Sequence, residues 1–277
     1  MTPTGTVIGG RYEIGTLVSR TTSAEVWRGH DQILDRTVAI KVVRDGDTPT
    51  GAGRLAVTGA VAVYDILVHE DFTVVVSEWV DAWPLDRILE QAVTLRPDDV
   101  VDIVDGAAGI LDGAHNLGVP HGAVRPSNIL LGDNGSVHLT DFRGRVDGSG
   151  QLDVTSDVAG LGRVLAELLS RCDPVSIPPH LVDLTRRLES GDPSQLPTLL
   201  EFRLTLRHPG GVTGGRQTSR WLIAIAALIA TIAVASAASR ILYGSDDGPE
   251  GAEAPLSGVE PGPSPSHPPG SPPPGPL

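Results

Sequence analysis

Residues 121–144, HGAVRPSNILLGDNGSVHLTDFRG, constrain this chain more than any other stretch. They read as a histidine-led loop, two short strands and a closing Asp141-Phe142-Arg143 triplet. Directly before them, Arg96–Leu117 places apolar residues at Val100, Ile103, Val104, Ala107, Ile110, Leu111, Ala114 and Leu117. That 3-and-4 spacing predicts a helix with one buried stripe. Pro97 and two aspartates open it, and Gly118 with Pro120 closes it.

Upstream the chain changes period. Val7–Leu17, Ala24–Gly29 and Thr37–Val43 are β-rich runs separated by a polar turn and by Asp35-Arg36. Val61–Val80 reads as two more strands joined at His69-Glu70-Asp71, and Pro84–Ala92 as a short helical segment. Downstream, Asp157–Ser170 turns Leu161, Val164, Leu165 and Leu168 to one side of a helix. Strands first and helices after them make an α+β chain.

Several motifs then fall in one order: Gly10-Arg11-Tyr12, the V-A-I-K ending at Lys41, Ser77-Glu78-Trp79-Val80, and His121, Pro126, Asn128 and Asp141. Over about residues 8–206 this resembles a bacterial Ser/Thr protein kinase of the membrane-anchored, actinobacterial type. The resemblance implies a bilobal kinase-like fold, with a small β-rich N-lobe and a helical C-lobe. It also implies a nucleotide cleft. Val26 would cover the adenine, Lys41 would hold the α- and β-phosphates, and backbone groups of Glu78 and Val80 would face the base. Asn128 and Asp141 keep the type and spacing of the magnesium ligands. ATP and Mg2+ are the implied cofactors, bound weakly or not at all for the reasons that follow.

The departures are coordinated. In the pattern H-R-D-x-K-P-x-N, Gly122 replaces the arginine, Ala123 the catalytic aspartate and Arg125 the lysine. A methyl group can neither orient a hydroxyl nor take its proton, and loss of a general base typically lowers the rate about 10²–10⁴-fold. Val18–Ser23, VSRTTS, stands where glycines would let bare N–H groups approach phosphate. Its hydroxyls remain potential phosphate donors. Arg44–Ala60 has no glutamate to pair with Lys41 and carries four glycines and a proline, which disfavour a helix. Asp141 is then the alternative partner for Lys41. Arg143 stands at the DFG glycine. Only 15 residues separate Asp141 from Asp157, with no A-P-E triplet, and Leu196 replaces the arginine that would pair with that glutamate. The expectation is a pseudokinase with no catalytic residues and a shortened activation segment. It would act as a binding or regulatory scaffold in cell-envelope or division signalling. The alternative is an active or residually active Ser/Thr kinase.

Composition narrows the setting. A formal charge of -13 argues against nucleic acid as a partner. Lys41 is the only lysine, and the single Cys172 excludes an intramolecular disulfide and, with scattered histidines, a zinc cluster. Trp221–Ser239 runs without a charge, about 28 Å as a helix against a hydrocarbon core of roughly 30 Å. Arg203, Arg207, Arg216 and Arg220 precede that run and only Arg240 follows, so the positive-inside rule puts the N-terminal side in the cytoplasm. The reading is therefore a kinase-like domain over 1–208, a linker over 209–220, a single transmembrane helix over 221–243 and a Pro-rich disordered tail over 244–277 outside a bacterial cell membrane. Protein partners are expected, among them active kinases or phosphothreonine-reading proteins. Thr213, Thr218 and Ser219 in the linker are the candidate phosphosites.

Overall fold

The computed structural model describes residues 4–44, 55–69, 72–91, 93–144, 154–189 and 195–207. All of them belong to one compact unit, Met1–Val234. Among the described residues no helix is long and apolar enough to cross a membrane. The transmembrane expectation over 221–243, the linker and the tail lie outside the described residues.

The N-terminal part is an antiparallel sheet of six strands in the order β1-β2-β3-β4-β6-β5. The strands are β1 (Val7–Ile8), β2 (Tyr12–Arg20), β3 (Ala24–Asp31), β4 (Arg36–Val43), β5 (Val63–His69) and β6 (Phe72–Glu78). Alternation along each strand decides its faces. Trp27, Val38, Ile40, Val42, Val74 and Val76 fall on one side and form a core with Ile8, Tyr12 and Ile14. Val26 pairs with Lys41 in register, so those two side chains share the opposite side. The run expected as one strand, Val7–Leu17, is two. Gly9 and Gly10 take positive φ (58° and 65°) and turn the chain between β1 and β2, which side chains with a Cβ rarely allow.

A three-stranded sheet, β7-β8-β9, follows: β7 (Ala82–Pro84), β8 (Ile129–Gly132) and β9 (Val137–Leu139). Helices α1 (Leu85–Leu89), α2 (Pro97–Asn116), α3 (Val154–Leu169), α4 (Pro179–Glu189) and α5 (Leu199–Leu206), with 3-10 turns at Pro126–Asn128 and Pro174–Ser176, complete the described elements. The predicted stripe of α2 is buried from Val100 to Ala114, whereas Leu117, at its C-cap, is exposed. Each fully buried large apolar side chain contributes about 1.5–3 kcal/mol, so this helix is the centre of the second core. Gly118 takes φ 75° and the Val119 N–H returns to the Ala114 carbonyl at 2.9 Å, which ends the helix. Two glycines let neighbours approach α2 closely. A Cβ on Gly106 would lie 2.8 Å from a Val137 methyl, and one on Gly113 would lie 2.8 Å from a Val57 methyl. The segment Leu55–Val61 packs here without helix, while residues 45–54, the rest of the stretch where no helix was expected, lie outside the described residues. The kinase-like α+β arrangement, a β-rich sheet followed by a helical core, is what the structure shows.

Candidate functional site

Register places the cleft residues. β3 pairs with β4 without a bulge, so Val26 stands opposite Lys41 and Arg28 opposite Ala39 on one face. Glu25, opposite Val42, must face the other way. It is buried, and its carboxylate accepts from Arg20 Nε at 3.1 Å, from an Arg44 guanidinium nitrogen at 3.4 Å and from Trp27 Nε1 at 3.3 Å. This acid, one strand away from Lys41 in the sheet, is therefore not its partner. Lys41 instead donates to Asp141, and this pair joins β4 to the segment after β9. Asp141 takes a left-handed φ of 70°, which a short polar side chain tolerates best.

The turn expected to meet phosphate is shorter than the sequence suggests. β2 runs on to Arg20 and β3 begins at Ala24, leaving Thr21–Ser23. Thr21 Oγ1 accepts the Ala24 N–H at 3.0 Å and donates to the Ala24 carbonyl at 3.2 Å. One of the hydroxyls read as a potential phosphate donor is thereby spent on the turn itself.

At the other end of β6, the Glu78 N–H donates to the Ala62 carbonyl at 2.8 Å and Val80 accepts from the Ala82 N–H at 2.9 Å. Arg28 lies over the Trp79 ring, 5.3 Å from its centroid, and Trp79 Nε1 donates to Asp81 at 2.8 Å. These contacts hold the connection from the sheet into β7. The contact of Arg28 with Trp79 escaped the sequence reading, because a cation–π pair between strand and connection has no local signal.

The loop at residues 121–128 is fixed from below by Asp157 on α3. Its fully buried carboxylate accepts the backbone N–H groups of His121 and Gly122, each at 2.7 Å, and pairs with His115 Nε2 at 2.8 Å. Sequence reading placed Asp157 at the start of a helix but not in this role. Gly122 has φ 73°, so its glycine meets a conformational need as well as replacing an arginine. The His121 ring sits 4.4 Å from that of Phe142, and its carbonyl accepts the Arg143 N–H at 2.8 Å. Burial drives the His121 imidazole below its ordinary pKa and keeps it neutral.

Ala123 is half-buried, with its N–H donating to His121 Nδ1 at 3.2 Å. Asn128 Nδ2 donates to the Ala123 carbonyl at 2.8 Å, so this amide ties the loop together. Its Oδ1 is met by Ser127 Oγ at 3.4 Å. Arg125 is exposed, and among the described residues its guanidinium meets neither a hydrogen-bond partner nor an acid. Among the described residues no group of three or more His, Cys, Asp or Glu could hold a metal ion. A Mg2+ ion arriving with nucleotide would draw on one carboxylate, Asp141, and one amide oxygen of Asn128, with phosphate and water completing the shell. That set fits only if Asp141 exchanges Lys41 for the metal.

No protein-family model matches the chain. It is 32% identical over 174 residues to a probable serine/threonine-protein kinase of Streptomyces coelicolor, covering 56% of this chain and 26% of that protein. It is 31% identical over 168 residues to the serine/threonine-protein kinase PknL of Mycobacterium tuberculosis, covering 56% and 42%. With the kinase PrkC of Bacillus subtilis it shares 29% over 150 residues, covering 50% and 23%. The chain thus spans less than half the length of each of these relatives. With a β-rich sheet joined to a helical core and Lys41 set against Asp141, this similarity makes the chain a relative of the bacterial Ser/Thr protein kinases.

Proposed function

We propose that the chain is a kinase-fold binding module, a pseudokinase that recruits or regulates protein partners in envelope or division signalling without efficient phosphotransfer. One observation carries this reading: Ala123 stands in the loop where the resemblance puts the catalytic base, on a backbone held in place by Asp157 and Asn128. A well-positioned loop without its acid has lost chemistry and kept shape. The Lys41–Asp141 pair supports the same reading, since each group that would meet Mg-ATP is engaged with the other. The proposal extends to place. The uncharged run from Trp221 and the arginines before it support a single-pass membrane protein with its kinase-like domain in the cytoplasm and its Pro-rich tail outside. Protease treatment of spheroplasts should remove the tail and spare the domain; the reverse pattern overturns that topology.

The relatives' names favour a second reading, a Ser/Thr kinase that uses ATP and Mg2+. Incubating the purified chain with labelled Mg-ATP and a generic protein substrate separates the two. The scaffold reading expects no incorporation. Incorporation that disappears in Lys41→Ala and Asp141→Asn establishes the kinase instead.

A further inference from the structure

Arg125 is the feature that neither reading uses. Pro126 restricts the residue before it to extended backbone, and Arg125 has φ −162° and ψ 161°. Its carbonyl accepts the Asn128 N–H at 3.0 Å, closing the 3-10 turn Pro126–Asn128. The same loop is held at its start by Asp157 and across its middle by Asn128. A guanidinium therefore leaves a well-held backbone, exposed and without an acid partner among the described residues, in a chain with 34 acidic and 21 basic side chains. Several other described arginines are neutralised by acids, Arg11 and Arg36 on Asp31, Arg20 and Arg44 on Glu25, Arg203 and Arg207 on Asp105, and Arg28 lies over the Trp79 ring. Arg163 and Arg171 also lack an acid partner among the described residues but stand on α3 and just after it, away from any such loop in sequence.

The neighbouring substitution gives that cation a use. An aspartate at position 123 would repel a phosphate dianion approaching the loop, and the methyl of Ala123 does not. The other acid at hand, Asp141, is neutralised by Lys41. The loop has thus exchanged an acid and a point-charge ammonium for a neutral side chain and a planar fork, which matches phosphate oxygens two at a time.

We infer that the loop 121–128 is a phosphate-reading site, in which Arg125 receives the phosphorylated serine or threonine of a protein partner. A nucleotide's terminal phosphate has the same chemistry. The side chain is the favoured source because the turn that would cradle nucleotide phosphates lacks glycine and has its Thr21 hydroxyl engaged. This inference rests on the scaffold reading and names its partner class.

The test is fluorescence anisotropy on the purified full-length chain with a degenerate peptide library, carrying a central phosphothreonine or the plain threonine. The phosphorylated pool should bind about tenfold tighter or better. Arg125→Ala should erase the preference, Arg125→Lys should retain part of it, and Ala123→Asp should reduce it by repulsion. Thermal melts of each variant separate lost binding from lost fold. Equal binding of the two pools, no binding of either, or a preference that survives Arg125→Ala overturns the inference, as does ATP binding without a phosphopeptide preference. The labelled-ATP assay reports separately: absent phosphotransfer with no phosphopeptide preference removes this inference and leaves the scaffold reading standing.

Discussion

Lys41 on β4 donates to Asp141, 100 residues further along the chain. The pair ties the N-terminal sheet to the segment that leaves β9, and it couples the two residues most involved in any nucleotide reading. Their side chains are 27% and 19% exposed, so solvent screens the attraction and the pair stabilises by about 1 kcal/mol at most. Lys41→Met and Asp141→Asn should each lower stability by about that amount. The double variant should lose little more than either single one. Urea denaturation of the four proteins measures this, and strictly additive losses would show that the pair does not form in solution.

Asp157 should be far less tolerant. Its removal strands the N–H groups of His121 and Gly122 in a buried site, at about 1–3 kcal/mol for each. Asp157→Ala is therefore expected to destabilise the chain by about 2–6 kcal/mol. Amide hydrogen exchange at residues 121–123 should accelerate beyond the global effect. Unchanged exchange there would remove Asp157 from its anchoring role.

Gly113 sets helix propensity against packing. Alanine in a helix interior gains about 1 kcal/mol over glycine, but here its Cβ would come 2.8 Å from a Val57 methyl. Val57 must give way, so Gly113→Ala should yield no net stabilisation and Gly113→Leu should cost about 1–3 kcal/mol. Midpoints of thermal unfolding test both, and a clear gain from alanine would mean that Val57 does not pack there.

Asp105 links α2 to α5 and makes that contact pH-dependent. Burial pushes its carboxyl up, yet Arg203 at 2.9 Å and Arg207 at 2.7 Å bring it below the usual carboxylate value. A carboxyl depressed in the folded state binds its proton less readily there than in the unfolded chain. Its stabilising contribution is complete above the unfolded pKa, near 4, and is lost as pH falls through the folded value. Stability of the wild-type chain should thus decline more steeply below about pH 4 than that of Asp105→Asn. Parallel slopes in urea titrations at several acidic pH values would dismiss the linkage.

Much of the architecture was legible because its signals are local. The α2 stripe, the stop at Gly118 and the strands around Lys41 follow from spacing and turn chemistry within a dozen residues. The capping box of Thr198 and Glu201 at the start of α5, with bonds of 3.2 and 2.9 Å, is as local a signal, yet it went unread in the sequence. The site was legible in part. The residues at positions 121–128 and 141–143 stood out by type and order. The alternative of Asp141 as partner for Lys41 followed from the missing glutamate, and the structure makes that pair. By contrast, the extent of the Thr21–Ser23 turn was misjudged, since polar residues continue a strand when its partner supplies the ladder, as Glu25 does opposite Arg20.

The amino-acid sequence by itself determined which residues are present for chemistry: Ala123 where an acid would be needed, one lysine, and an arginine held extended by Pro126. Those properties belong to single residues and their immediate neighbours. Only the tertiary structure decided how they are joined. Sheet register put Glu25 on the face away from Lys41, and packing brought Asp157 beneath His121 and Gly122 and left the Arg125 guanidinium without an acid partner among the described residues. Such pairings depend on contacts between segments tens of residues apart, whose geometry no local pattern carries.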